Sequence, residues 1–292
     1  MHTTVVTGAS AGIGFETAKA LAMQGHRLLL VGRNPERTVA SKDAIIADTG
    51  NVHVESFLSD FSSLDSVRAL ALALKEAAPR IDTLVNNAGL WHQERRVSKD
   101  GFEDTYAVNH LAPFLLTHLL MPSLVHGAPV RIVFVSSRLH EETGAFDFED
   151  LSVEANSYVG LDVYARTKLA NVLTANEFAR RLAKTLPQIT SSSVHPGSVQ
   201  TSIVRDNALL NVGIKIAGPF LRTAKEGAAT SIYAATHPAL ERVTGAYYSD
   251  SRQIPPSPHA RDRSAARRLW DLSLEQVGLA ARDVHESVSV AT

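Results

Sequence analysis

The chain has 292 residues, of which 45% are apolar and 20% are charged, a composition typical of a globular protein with a large core. A net charge of −1 at pH 7 excludes a broad basic surface for nucleic acid. The absence of cysteine excludes disulfides and thiolate catalysis, and the 12 histidines show no metal-ligand spacing. We see no secretory leader and no uncharged apolar run of about 18 residues, so we expect a cytoplasmic protein without a membrane span.

Strand and helix patterns alternate along the chain. The strand patterns lie at residues 3–7, 27–32, 52–57, 81–86, 130–136, 189–195 and 245–249. The helical patterns lie at residues 12–24, 35–48, 62–78, 102–126, 160–185, 224–236 and 262–276. Several strand patterns are almost continuously apolar, as expected when both faces of a sheet are covered. The alternation predicts right-handed βαβ units and a parallel sheet in a single α/β domain over residues 1–292.

Two segments of this domain need a separate interpretation. Residues 206–221 are apolar and contain glycine and proline, and they are interpreted either as a lid over a substrate or as an amphipathic surface helix. Residues 254–292 would form a C-terminal loop and helix, with the proline-rich stretch 254–262 as a surface turn.

A glycine-rich turn joins the first strand to the first helix. Gly8, Gly12 and Gly14 occur in "TGASAGIG", residues 7–14. Glycines at this junction allow a tight turn and a close approach of the backbone to a pyrophosphate, which the helix N-terminus attracts. Without a nucleotide, the same pattern would be an ordinary strand–helix turn. Its position at the first strand–helix junction favours a dinucleotide site.

The end of the second strand indicates which dinucleotide would bind. A site for NAD usually places an acidic residue there, to bind the adenosine ribose. This chain has Arg33 in "LLLVGRN", and a guanidinium matches a phosphate in charge and geometry. The sequence therefore favours NADP(H) over NAD(H), although Arg33 could also be a solvated loop residue.

Several ordered motifs together resemble the short-chain dehydrogenase/reductase family. They are "TGASAGIG", "SDF" (59–61), "NNAG" (86–89), "YAVNHLAPFLLT" (106–117), "IVFVSS" (132–137), "YARTK" (164–168) and "HPGSVQT" (195–201). The resemblance implies a Rossmann-type, doubly wound parallel sheet of about seven strands with helices on both faces. The residues then expected to bind the coenzyme are Gly8, Ser10, Gly12, Ile13, Gly14, Arg33, Asp60, Asn87, Ala88, Gly89, Tyr164, Lys168, Pro196, Gly197, Val199 and Thr201.

The same resemblance assigns four catalytic residues, namely Asn109, Ser137, Tyr164 and Lys168. A free tyrosine has a pKa of about 10, and a nearby cation lowers it by about 1–3 units. Residues four apart share one helix face, so we expect Lys168 to lower the pKa of Tyr164. Ser137, preferred over Ser136, would bind the substrate oxygen, and Asn109 would hold a water of a proton relay.

Further similarity concerns the retinol dehydrogenase-like, NADP(H)-preferring branch, on the segments 140–158 and 168–182. It implies an oxidoreductase that interconverts a carbonyl and an alcohol, with a lipophilic ketone or aldehyde as the small-molecule substrate. Many members that prefer NADP(H) carry a basic residue before the second glycine, where this chain has Ala11. Arg33, with Ser10 and Arg37, would therefore bind the 2′-phosphate.

Other functional expectations are less specific. Candidate walls of the substrate pocket are Leu90, Trp91, His140, Thr143, Tyr158, Val159, Val199 and Ile203. His195, which precedes Pro196 and Gly197, is interpreted as structural. A homodimer or homotetramer could form through the helices at 102–126 and 160–185. The alternative function is a non-catalytic, NADP(H)-sensing regulatory protein on the same scaffold.

Overall fold

The structure is a computed structural model that describes residues 1–125, 129–148, 158–197 and 222–279. The strands, in chain order, are β1 (Thr3–Thr7), β2 (Arg27–Gly32), β3 (Val54–Leu58), β4 (Thr83–Asn86), β5 (Val130–Val135), β6 (Ile189–His195), β7 (Tyr247–Ser249) and β8 (Arg252–Ile254). They form a sheet in the order β3-β2-β1-β4-β5-β6-β7-β8. Strands β1 to β7 pair in parallel, which confirms the predicted doubly wound sheet.

The eighth strand was not predicted. It pairs antiparallel with β7 through a tight turn in which Asp250 and Ser251 have positive φ values of 53° and 55°. Arg252 and Gln253 are exposed, so this three-residue strand lacks the apolar pattern by which the other strands were found.

The helices lie close to their predicted positions. They are α1 (Gly12–Met23), α2 (Pro35–Thr49), α3 (Leu64–Ala77), α4 (Asp104–Tyr106), α5 (Ala112–Leu124), α6 (Gly160–Thr185), α7 (Ala224–Thr236) and α8 (Arg263–Gln276). The helix expected at 102–126 is divided by a π-helical turn, Ala107–Leu111, between α4 and α5. Short 3₁₀ turns occur at Arg138–Glu141, Pro238–Leu240 and His259–Arg261.

Alternate strand residues belong to two apolar layers, one on each face of the sheet. Val5 and Phe134 belong to the layer that also contains residues of α3, α5, α6 and α8. Val6 and Val133 belong to the opposite layer, which contains residues of α1 and α7. Successive side chains of a strand point to opposite faces, so the near-continuous apolar runs follow from helices on both sides.

The order of the strands indicates where a ligand would bind. From β1 the chain proceeds through β2 to β3 on one side, and from β4 outward on the other. Ligands of such sheets bind at the carboxyl edge where this direction reverses. The residues that directly follow β1, β4, β5 and β6 include Gly8, Asn87, Ser136 and Pro196, and they all lie at this edge.

The last helix and the loop before it are integral to the core. Trp270 of α8 lies with its ring 5.2 Å from Phe114 of α5 and 4.6 Å from Phe178 of α6, between ring centroids. The stretch 254–262 is more than the expected surface turn, because Ala260 is buried and its carbonyl accepts a hydrogen bond from Asn176 of α6. Subunit association remains a prediction, and it cannot use the surface of α5 and α6 that α8 covers.

The helices within the described ranges are too short or too polar to cross a bilayer.

Replacing Trp270 by alanine should lower the free energy of unfolding by about 3–5 kcal/mol, because a large buried ring is removed from a packed aromatic cluster. Urea denaturation followed by circular dichroism measures the change. The matched control is Leu72→Ala in α3, whose side chain is 65% exposed and whose loss should cost under about 0.5 kcal/mol. Equal changes for the two variants would contradict the packing described for α8.

Candidate active site

The glycine turn after β1 has the geometry of an anion-binding turn. Gly8 has a φ of +67°, and a Cβ on it would lie 2.8 Å from the Cα of Ala88. Gly12 has a φ of +58° and open space where a Cβ would project. Helix α1 has no side-chain cap at Ala11, which leaves its first N–H groups available to an anion. These features fit the pyrophosphate of a dinucleotide.

A hydrogen-bond cluster joins this turn to the "NNAG" segment. The Asn87 side-chain amide donates to the carbonyl oxygen of Thr7 at 2.8 Å. The Thr7 hydroxyl oxygen accepts the backbone N–H groups of Asn87 and Ala88, each at 3.0 Å. Thr7 was not singled out from the sequence, since nothing in its local pattern shows that two distant amides converge on it.

A cavity of about 550 Å³ extends from this turn along the carboxyl edge of the sheet. It is lined by thirteen of the residues expected to bind the coenzyme: Gly8, Ser10, Gly12, Ile13, Gly14, Arg33, Asp60, Asn87, Ala88, Gly89, Tyr164, Lys168 and Pro196. Arg37 and the predicted pocket walls Leu90 and Trp91 also line it. Val199, Thr201, Ile203 and the segment 206–221 lie outside the described residues.

Positive charge and a carboxylate mark one end of the cavity. Arg33 and Arg37 are exposed side chains near the end of β2. Asp60 is half-buried, and burial opposes its ionisation. Hydrogen bonds from Lys99 and Ser62 outweigh that effect and lower the pKa of Asp60. The cationic groups are therefore accessible to a phosphate beside a carboxylate that is ionised at neutral pH.

Asn109 lies in the π-helical turn and is fully buried. Its side-chain nitrogen donates to the carbonyl of Leu90 at 2.9 Å and to the hydroxyl of Thr167 at 3.1 Å. Its side-chain oxygen accepts the N–H of Leu90 at 2.8 Å, which leaves one lone pair free. A Cβ on Gly89 would lie 3.2 Å from this oxygen and 3.3 Å from Lys168 Nζ, so the two groups converge beside Gly89. Gly89 and Lys168 line the cavity, and Asn109 lies behind them.

Lys168 and Tyr164 lie together on α6, as their spacing predicted. Lys168 is only 3% exposed, its Nζ donates to the carbonyl of Val135 at 3.1 Å, and it lies 5.3 Å from the centroid of the Tyr164 ring. Burial lowers the pKa of Lys168 to about 8. The ammonium group is therefore still mostly protonated at pH 7.

The predicted effect of Lys168 on Tyr164 was wrong for the structure as it stands. Burial raises the pKa of Tyr164 to about 12, and a hydrogen bond with Ser137 offsets only part of that rise. The cost of removing a phenolate from water dominates, and Lys168, 5.3 Å from the centroid of the ring, does not offset it. Tyr164 thus holds its proton at neutral pH.

The two serines that follow β5 have different hydrogen-bond partners. Ser136 lines the cavity, but its hydroxyl donates to the backbone carbonyl of Lys168 at 2.7 Å. Ser137 does not line the cavity, and its hydroxyl interacts with Tyr164 instead. Ser137 is therefore the serine that shares a hydrogen bond with the tyrosine.

Two histidines have structural surroundings. His195 Nδ1 accepts the N–H of Gly197 at 3.0 Å, and Gly197 has a φ of +83°, so the ring stabilises the turn after β6. His140 was expected in the pocket wall, but it is fully buried behind Ser137 and does not line the cavity. In the described part of the chain, no group of three or more histidine, aspartate or glutamate side chains could hold a metal ion.

Residues 2–147 match the family model described as short chain dehydrogenase. Human retinol dehydrogenase 12 is 40% identical over 275 residues, which cover 94% of this chain and 86% of that protein. A Streptomyces sp. (strain C5) protein, provisionally named a daunorubicin C-13 ketoreductase, is 40% identical over 283 residues, 96% of this chain and 94% of its own. The crystal structure of an uncharacterized Mycobacterium paratuberculosis protein has a TM-score of 0.77 at 28% identity. The match covers 96% of this chain and 94% of that protein chain.

These matches identify the class of protein. The chain belongs to the short chain dehydrogenase family of oxidoreductases, as its ordered motifs predicted, and retinol dehydrogenases are among its relatives.

The buried Lys168 should give the protein a specific pH dependence. Its pKa is about 8 in the folded protein, against 10.5 for a free lysine. Between these values the unfolded chain binds more protons, so the free energy of unfolding contributed by this residue rises with pH and then levels off. The full change is about 3 kcal/mol, at 1.36 kcal/mol per pKa unit.

The measurement is urea denaturation of the coenzyme-free protein from pH 7 to 10.5, beside Lys168→Met. Across this interval the free energy of unfolding of the parent should rise relative to that of Lys168→Met. A difference that does not vary with pH would show that the ammonium group is not buried.

Proposed function

We propose that this protein is an NADP(H)-dependent carbonyl reductase or alcohol dehydrogenase of its family. It would transfer a hydride between the coenzyme and the carbonyl carbon of a lipophilic ketone or aldehyde, with reduction as the favoured direction. The observation that carries the proposal is the convergence of Tyr164, Lys168 and Gly89 on one cavity with the glycine turn.

The residues around the cavity would hold the coenzyme along its length. The N–H groups at the start of α1 would bind the pyrophosphate, and Arg33, with Arg37 and Ser10, would bind the 2′-phosphate. Asp60 would contact the adenine ring, and Pro196 and Gly197 would border the nicotinamide end, with Val199 and Thr201. The coenzyme supplies the hydride when it is bound.

The side chains of the chain would handle the substrate oxygen and its proton. Ser137 would donate a hydrogen bond to that oxygen and orient the carbonyl. Tyr164 would then give its proton to the oxygen as negative charge develops there. Because burial keeps Tyr164 protonated, it is prepared to act as an acid, which fits reduction better than oxidation.

Lys168 would stabilise the phenolate after the proton has left. Its ammonium group is protonated at neutral pH and lies beside the ring, so the attraction grows when charge appears on the tyrosine oxygen. Lys168 would also bind the nicotinamide ribose. Asn109, through the free lone pair of its side-chain oxygen, would hold the water that returns a proton to Tyr164.

A lipophilic substrate is supported by the residues around the tyrosine. Val159 and Leu161 precede Tyr164 at the start of α6 and are 52% and 47% exposed. Leu90 and Trp91 line the neighbouring cavity. Relatives named for retinol and for a ketone of daunorubicin carry names consistent with such substrates. A cytoplasmic location also remains part of this proposal.

Tyr164→Phe should abolish turnover and leave coenzyme affinity almost unchanged. The variant lacks the proton donor but keeps the ring, so the rate should fall at least about 100-fold. NADPH consumption by absorbance, against a panel of ketones, aldehydes and quinones, measures turnover, and NADPH fluorescence measures binding.

The outcome separates this proposal from its alternative. Activity of Tyr164→Phe within a few-fold of the parent would show that another group supplies the proton. A parent protein that binds NADPH but reduces nothing on the panel would instead favour the NADP(H)-sensing function.

Arg33→Ala should weaken NADPH binding about 10- to 100-fold and NADH binding only slightly, because only NADPH carries the 2′-phosphate. Fluorescence titration with both coenzymes measures the two dissociation constants. Arg267→Ala, an exposed arginine on α8, is the matched control and should change neither. Equal losses for both coenzymes would overturn the preference for NADP(H).

A further inference from the structure

His140 lies directly behind Ser137 and makes a hydrogen bond with each ring nitrogen. Its Nδ1 is 2.8 Å from the carbonyl oxygen of Ser137 and, at a longer 3.5 Å, from the hydroxyl oxygen of Tyr247. Its Nε2 is 3.2 Å from the backbone nitrogen of Ser257, in the loop before α8. The side chain is fully buried, so these contacts are protected from water.

The carbonyl of Ser137 and the N–H of Ser257 define the protonation state of the ring, because the Tyr247 hydroxyl can either donate or accept. A carbonyl oxygen can only accept, so Nδ1 must carry a proton. A backbone N–H can only donate, so Nε2 must present its lone pair. His140 is therefore a neutral imidazole in the Nδ1–H form, and a second proton on Nε2 would face the N–H of Ser257.

The hydrogen bonds around Ser137 leave little freedom to its backbone. Its carbonyl oxygen accepts two bonds from His140, one from the ring and one from the backbone N–H at 3.1 Å. Its side-chain oxygen accepts the N–H of Leu139 at 3.2 Å. Because the side-chain oxygen of Ser137 is held in this way, its hydroxyl proton is free to point toward Tyr164 or a substrate oxygen.

His140 is itself held by two distant parts of the chain. Its ring meets that of Tyr247 of β7 in an edge-on arrangement, with centroids 5.0 Å apart. Ser257 is buried, and its hydroxyl oxygen accepts the N–H of Ala260, whose carbonyl binds Asn176 of α6. The C-terminal loop thus connects the helix that carries Tyr164 to the ring that supports Ser137.

We propose that His140 is a positioning residue of the reaction, a neutral imidazole whose Nδ1–H holds the Ser137 carbonyl and so aims the Ser137 hydroxyl at the substrate oxygen. The proposal rests on the proposed function, because Ser137 has no reaction to serve otherwise. His140 does not touch the substrate or the coenzyme in this arrangement. It acts through Ser137.

Two polar substitutions test the contributions of the two ring nitrogens separately. In His140→Asn the amide nitrogen can replace Nδ1–H as a donor to Ser137, whereas in His140→Gln the amide oxygen can replace Nε2 as an acceptor from Ser257. The asparagine variant should keep kcat within about 3-fold, and the glutamine variant should lose about 10-fold or more. Similar losses in both variants would overturn the proposal.

A double-mutant cycle tests whether the effect passes through Ser137. His140→Leu should lower kcat about 10-fold or more in the parent but less than about 2-fold in a Ser137→Ala background. Loss by the same factor in both backgrounds would overturn the proposal and indicate general damage to the fold. If Ser137→Ala leaves no measurable rate, or if His140→Leu does not fold, the comparison of asparagine with glutamine decides.

Coenzyme binding provides the control for folding. The dissociation constant of NADPH should stay within about 3-fold in every His140 variant, because the loss concerns the substrate oxygen and not the coenzyme. Failure of the proposed function has a different signature, since the parent protein would then bind NADPH without reducing any carbonyl compound of the panel. Full activity of Ser137→Ala overturns the role of the serine, whereas full activity of His140→Gln overturns only the role of the histidine.

Discussion

The candidate site depends on a buried ammonium group. Lys168 Nζ lies between the carbonyl of Val135 at the end of β5, the backbone of Gly89 and the ring of Tyr164. A buried charge is costly unless polar groups surround it, so its neighbours are constrained in turn. Gly89 leaves room for the group, and Ser136 binds the lysine carbonyl and fixes the helix against the strand.

Two opposing effects of burial give the tyrosine and the lysine different tasks. Removal from water raises the pKa of the phenol to about 12 and lowers that of the ammonium group to about 8, which moves the two pKa values apart. At neutral pH the phenol keeps its proton and the lysine keeps its charge. This is the state required to protonate a carbonyl oxygen and then to stabilise the resulting phenolate.

The sequence predicts the fold well because both faces of the sheet are covered and the apolar patterns are strong. Helix α6 has the predicted bounds, whereas β8 was missed because its side chains are polar and exposed. Sequence spacing also places Tyr164 beside Lys168, but it cannot give the depth of burial that decides their pKa values. The role of His140 was inaccessible for another reason, since Ser257 lies 117 residues away along the chain.

A crystal structure with NADP⁺ is the most direct test of the central claim that Lys168 and Tyr164 operate on a substrate beside a bound nicotinamide. We expect the nicotinamide ribose within about 3 Å of Lys168 Nζ, with the nicotinamide ring facing the Tyr164 hydroxyl. A coenzyme whose nicotinamide lies away from both side chains, with Lys168 still bound only to Val135, would contradict the account.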